Sequence, residues 1–247
     1  MYAIQQFKVI QINLFVSVTV DDRSDLQINE GHVAFDVGSV PVLVPARNAY
    51  KKVAKWTSGL LPYTIERSQF TAAQITTITN SMRTIEQQTD NCIRCVERTS
   101  HLTWIRIYAG TGCWSYMGRQ KASDSQDVSF ENSDCLYQNI VIDELLHAVR
   151  FAHEQARPDR DTYVKINYEN IQSSRKNNSD RYSTTKADTL QKVYDLTSIM
   201  HHKWNAFSKN GLPTISPKAN VSQSTMGSAS VMTDSDIEKV KSYYLCA

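Results

Sequence analysis

Apolar residues recur along this chain with three different periods, and the changes of period mark its elements. Between Phe70 and Cys92, residues Ile75, Ile78, Met82 and Ile85 stand three or four apart among polar neighbours, the spacing of one face of an amphipathic helix. Trp104-Ile105-Arg106-Ile107-Tyr108 alternates instead, and Ile93 to Tyr108 as a whole reads as short strands. Ile140, Val141, Ile142, Leu145, Leu146, Ala148 and Val149 are apolar nearly all round a helix, which predicts a buried one. Thr233 to Tyr244 has acids in its first turn and apolar Ile237, Val240 and Tyr244, the pattern of a closing helix. Tyr163 to Ile171 and Arg175 to Leu196 are mixed and polar. Phe207 to Gly211 reads as a turn, with Pro213 and Pro217 keeping that region irregular.

The buried helix carries the chemistry. It reads D-E-L-L-H-A-V-R-F-A-H-E from Asp143 to Glu154. Asp143 and His147 are four apart and share a face, with Glu144 beside them. Burying two potential metal ligands and a further carboxylate is unfavourable without a charge to satisfy them. A zinc ion would provide that charge. His153 lies six beyond His147, about 240° further round a continuing helix. It reaches the same ion only if the helix stops near Arg150 and the chain turns back.

Composition narrows the field. The 247 residues suffice for one large domain or one domain with a leader. A net charge of +2 argues neither for nor against nucleic acid, but the lack of a basic run interleaved with aromatics argues against it as a partner. No stretch of 18 apolar residues exists to span a membrane. The chain has five cysteines; Cys92 and Cys95 form a C-x-x-C pair, but no second pair follows at the spacing of a structural zinc site.

The helix and its turn resemble the long zinc signature of the metzincin proteases, H-E-x-x-H-x-x-G-x-x-H. The run H-E-Q-A-R-P-D-R-D-T-Y-V-K-I-N-Y-E-N-I from His153 to Ile171 is similar to the astacin family. Ser198-Ile-Met-His201 resembles that family's Met-turn, and Cys113-Trp-Ser-Tyr-Met-Gly-Arg119 its strand before the substrate cleft. Trp56 to Ile65 resembles the opening strand of the mature domain. The resemblance covers residues 48–247. It implies an α+β, two-lobed metzincin fold, with a mainly parallel mixed sheet and two long helices in the first lobe. The second lobe is then largely irregular and ends in the closing helix.

By that resemblance the protein is a secreted zinc metalloendopeptidase acting on peptide or protein substrates. Its ligands are His147 and His153, with Asp143 either the third ligand or a non-ligand hydrogen-bonded at the helix, and its general base is Glu144. Met200 forms the apolar floor under the metal. Glu154 receives the N-terminus freed by cleavage after Arg47. The matching disulfides are Cys92 with Cys246 and Cys113 with Cys135, leaving Cys95 as a small buried residue. Disulfides imply an oxidising compartment. Asn177-Asn-Ser179 and Asn220-Val-Ser222 are glycosylation sequons that such a compartment can use. Residues 1–20 read as a weak signal peptide or simply an N-terminal strand. Residues 21–47 stand in the place of an inhibitory pro-segment, with Asp36 the candidate to block the metal. Val128 to Leu136 is the expected edge strand for an extended peptide.

Three positions depart from the family's pattern. Asp143 stands where the first zinc histidine belongs; carboxylate oxygen is an accepted zinc ligand, but the side chain is shorter than imidazole and adds negative charge. Arg150 replaces the helix-ending glycine, where a side chain in the left-handed region costs about 1–2 kcal/mol. His202 replaces a tyrosine that binds the metal or the oxyanion. It can donate to an oxyanion when protonated, replace the lost ligand, or simply pack. These changes raise a second reading: an inactive pseudoprotease that binds peptides.

Overall fold

The computed structural model describes residues 54–132, 134–187 and 189–246, together with strands β1 (Leu26–Asn29) and β2 (Val33–Asp36). The expected signal peptide (residues 1–20) and the Arg47 junction lie outside these residues, as do the side chains of β1 and β2, that of Asp36 included.

The first lobe is a seven-stranded sheet with two helices. Its strands are β1, β2, β3 (Leu60–Ile65), β4 (Arg94–Glu97), β5 (Thr103–Tyr108), β6 (Cys113–Tyr116) and β7 (Asp124–Phe130), in the spatial order β1-β2-β6-β7-β5-β3-β4. The pairs β3/β4, β3/β5, β5/β7 and β2/β6 are parallel; β6/β7 and β1/β2 are antiparallel. Parallel strands need covering helices. Helix α1 (Ala72–Gln88) starts at Thr71, whose hydroxyl accepts from the Gln74 amide while the Gln74 side chain accepts from the Thr71 amide. This capping box satisfies two otherwise orphaned donors. Ile78, Met82 and Ile85 are buried, and α1 packs on α2 (Gln138–Ala148). Leu61, Ile105, Ile107, Val128 and Phe130 of the sheet complete the same core.

One expectation fails here. Residues 124–130 are not an edge: β7 lies between β5 and β6. On the other side of β6 lies β2, with Val33 opposite Ser115 and Ala34 opposite Tyr116. Alternation shows which strands are half-buried but not which neighbour each one takes.

The second lobe is mostly irregular. Strands β8 (Val164–Ile166) and β9 (Ile215–Pro217) form a small antiparallel pair over a core of Val164, Tyr194, Ile215 and Met226. Helix α3 (Asp234–Tyr244) closes the chain behind a second capping box, Thr233 with Asp236. Cys92–Cys246 ties its end to the segment following α1, and Cys113–Cys135 ties β6 to the approach to α2. Cys95 is free and buried.

Candidate metal centre

Helix α2 is buried because its sequence leaves it no polar face, and it delivers two donors. The His147 Nε2 lies 3.7 Å from the Asp143 Oδ2, one helical turn away. The His153 Nε2 is 3.3 Å from His147 Nε2 and 3.9 Å from the same carboxylate oxygen. His147 and His153 are buried, and Asp143 is half-buried. The His147 Nδ1 donates to the Phe151 carbonyl at 2.6 Å, which in the neutral ring leaves Nε2, the nitrogen turned towards His153 and Asp143, unprotonated.

These three atoms fit a zinc ion. A point equidistant from them lies about 2.1 Å from each, the length of zinc bonds to imidazole nitrogen and carboxylate oxygen. Two imidazoles and one carboxylate are a zinc donor set that leaves a position open. Among the described residues, Asp143, His147 and His153 are the group whose donor atoms all fall within 4.8 Å of one another. The short aspartate side chain therefore reaches the histidine pair.

His153 gets there through a sharp turn. Helix α2 ends with the Arg150 amide donating to the His147 carbonyl and the Phe151 amide to the Leu146 carbonyl. Those two bonds make a Schellman motif, whose left-handed position is normally glycine. Arg150 occupies it at φ 88°, so the turn predicted for this position is made with a side chain present. That side chain is 1% exposed and runs to α3, where Nη1 donates to the Tyr243 hydroxyl. Burial lowers its pKa, against the pull of Tyr243 and Tyr244.

Glu144 is buried beside Asp143. Glu154 is buried as well, between two cations: Arg157 Nη1 at 2.7 Å and Lys239 Nζ at 2.8 Å. Its amide donates to the Met200 carbonyl at 2.8 Å, which joins the residue after His153 to the Met-turn. Met200 is in the core and lines a small interior cavity with His153. The His202 ring stands 4.3 Å from that of His153, tilted by 55°, and 5.4 Å edge-on from Phe207. It falls outside the three-donor group. Asp143, His153, His202 and Lys203 line an open pocket of about 160 Å³.

Sequence patterns did not reveal the residues that hold this centre in place. Asp236 accepts from the Ser198 hydroxyl at 2.6 Å and from the Ile199 amide at 3.1 Å, so α3 carries the Met-turn. Gly227, at φ +59°, runs against it, and an added Cβ would sit 2.1 Å from the His201 carbonyl oxygen. Asp236 and Lys239 are charged residues one turn apart in a helix, a pattern that usually marks a solvated face. Both are buried.

Comparison with known proteins agrees with this geometry. The family model for Astacin, a peptidase family, matches residues 48–245. Blastula protease 10 from Paracentrotus lividus is 36% identical over 199 residues, and zinc metalloproteinase nas-13 from Caenorhabditis elegans is 37% identical over 203. The matches cover 78% and 81% of this chain, which spans 32% and 43% of the lengths of those relatives. High choriolytic enzyme 1 from Oryzias latipes is 32% identical over 230 residues, 93% of this chain and 82% of that protein. Its solved structure, described as a hatching enzyme zinc-protease, superposes with a TM-score of 0.71, covering 82% of this chain and all of that one. With a family model matched over most of its length, the same two-lobed fold and a His/Asp group that could hold a metal ion, the chain belongs to the astacin family of zinc-dependent metalloendopeptidases.

Proposed function

We propose that this chain is a secreted zinc-dependent endopeptidase that hydrolyses extended peptides in the cleft between its lobes. The observation that carries the reading is the convergence of Asp143, His147 and His153 at zinc-bonding distance. Those three residues would hold the ion, which when bound polarises the scissile carbonyl and acidifies a water molecule. Glu144 takes the water's proton on its carboxylate and returns it to the leaving amine nitrogen. His202, in its protonated form, donates to the developing oxyanion from the rim of the pocket. Once β2 has left it, the edge of β6 pairs with substrate backbone. Residues 1–20 serve as a leader and 21–47 as a pro-segment. In the uncleaved chain β2 lies along that edge, so cleavage after Arg47 would free it. Two disulfides and the exposed Asn177 and Asn220 support an oxidising, secretory compartment.

A second reading, a peptide-binding pseudoprotease, is favoured by one observation: the first ligand position is Asp143 rather than histidine. Metal content separates the two. The chain processed at Arg47 is dialysed at neutral pH and assayed for zinc, beside Glu144→Gln. One zinc per chain in both, with peptidase activity only in the unsubstituted chain, is the expected result. A processed chain that retains no zinc rules the enzyme out.

A further inference from the structure

The geometry points to Arg150 and Tyr243 as a positioning pair that holds the turn between the two metal-facing histidines. This rests on the reading of Asp143, His147 and His153 as a zinc site. Three consecutive residues of that turn are gripped by the end of α3. The Tyr244 hydroxyl donates to the Val149 carbonyl at 3.2 Å. The Tyr243 hydroxyl accepts from Arg150 Nη1. The Tyr243 ring meets the Phe151 ring edge-on at 5.6 Å. Phe151 is also the residue whose carbonyl accepts from His147 Nδ1, and His153 follows two residues later.

The end of α3 is itself fixed. The Lys55 ammonium stands 4.0 Å from the centre of the Tyr243 ring and donates to the Tyr243 carbonyl. The Cys92–Cys246 bridge follows within a few residues. A glycine at position 150 would make the same left-handed turn without strain but would lose its link to the Tyr243 hydroxyl, one of the three contacts that hold the turn to α3. Arg150 accepts the left-handed backbone and attaches it. In this chain the helix-ending arginine is thus a functional replacement for glycine rather than damage to the site. Fixing a metal-binding imidazole through the group that bonds its other nitrogen typically governs affinity by about 10- to 100-fold.

The test compares Tyr243→Phe, Arg150→Gly and the double variant by two measurements. The first is zinc affinity, by competition with a chromogenic chelator. The second is NMR of the His147 ring in metal-free protein, reading whether Nδ1 carries a slowly exchanging proton. Each single variant is expected to bind zinc about tenfold more weakly and to exchange the Nδ1 proton faster. The double variant is expected to be no worse than the weaker single one, because both remove one contact. Unchanged zinc affinity and an unchanged ring proton in both single variants would overturn the pairing, even if their melting temperatures fell. So would tighter zinc binding by Arg150→Gly. Failure of the unsubstituted chain to bind zinc would refute the proposed activity, while the ring-proton measurement would still decide the pairing.

Discussion

The Lys239 ammonium lies 2.8 Å from the Glu154 carboxylate, with both side chains 4% exposed. Arg157 and the Asp195 amide complete the shell around the same carboxylate. Removing the anion strands the buried Lys239 ammonium and takes from Arg157 one of its two carboxylates, Asp159 remaining bonded to it, whereas removing Lys239 leaves Glu154 bonded to Arg157. Glu154→Gln should therefore destabilise by about 3–5 kcal/mol, and Lys239→Met by clearly less. Urea unfolding at pH 7 measures both, and equal losses would contradict this assignment of partners.

Asp143 presents the second test. Its oxygen stands 3.7 and 3.9 Å from the two imidazole nitrogens, against 3.3 Å between them, so it is the outlying donor. Asp143→Asn removes its charge at constant shape and should weaken zinc binding at least tenfold. Asp143→His should bind zinc more tightly and raise peptidase activity, because a neutral ligand leaves the ion a stronger Lewis acid. An Asp143→Asn chain that binds zinc as well as the parent would show that Asp143 is not a ligand.

How far the sequence was legible follows from range. The helices α1, α2 and α3 were readable because periodicity is local, and α1 and α3 begin within two or three residues of the expected positions. The donors in α2 were readable because four-residue spacing fixes a shared face. The place of β7 inside the sheet is not legible, since β7 and β6 carry similar short patterns and only tertiary pairing orders them. Arg150 looked like a defect because its partner, Tyr243, lies 93 residues away. Nothing local in the sequence marks Asp236 and Lys239 as buried, for the same reason. Their counter-charges and donors come from the Met-turn and from Glu154.

His201 gives the fold a predictable response to acid. It is buried, accepts from the Tyr194 hydroxyl at Nε2 and donates from Nδ1 to the His202 carbonyl. Burial pushes its pKa down to about 4, from 6.5. A lowered folded-state value means the unfolded chain binds the proton first. The stability from this group is thus complete above pH 6.5 and is lost as pH falls towards 4. Between pH 7 and pH 5 the parent should lose about 2 kcal/mol more than His201→Gln. Urea unfolding of both chains at the two pH values, with chelator present to exclude metal effects, reads this directly. Parallel losses would mean that folding leaves the pKa of His201 unshifted.

The Met-turn offers a controlled comparison between two glycines. Gly211 and Gly227 both lie in the left-handed region, at φ +75° and +59°. A Cβ at Gly211 meets nothing within 4 Å, whereas one at Gly227 comes to 2.1 Å from the His201 carbonyl oxygen. The backbone penalty of alanine is common to both, about 1 kcal/mol; the steric one falls on Gly227 alone. Gly227→Ala must move the His201–His202 backbone, and with it the His202 ring that stands against His153. Gly211→Ala is expected to melt within a few degrees of the parent and to keep its peptidase activity. Gly227→Ala should lose at least about 2 kcal/mol and most of its kcat. The reason is that His202 and Met200 share one short turn whose position Gly227 sets. If the two alanine variants proved equally stable and equally active, contact between Gly227 and the Met-turn would have no part in holding the site.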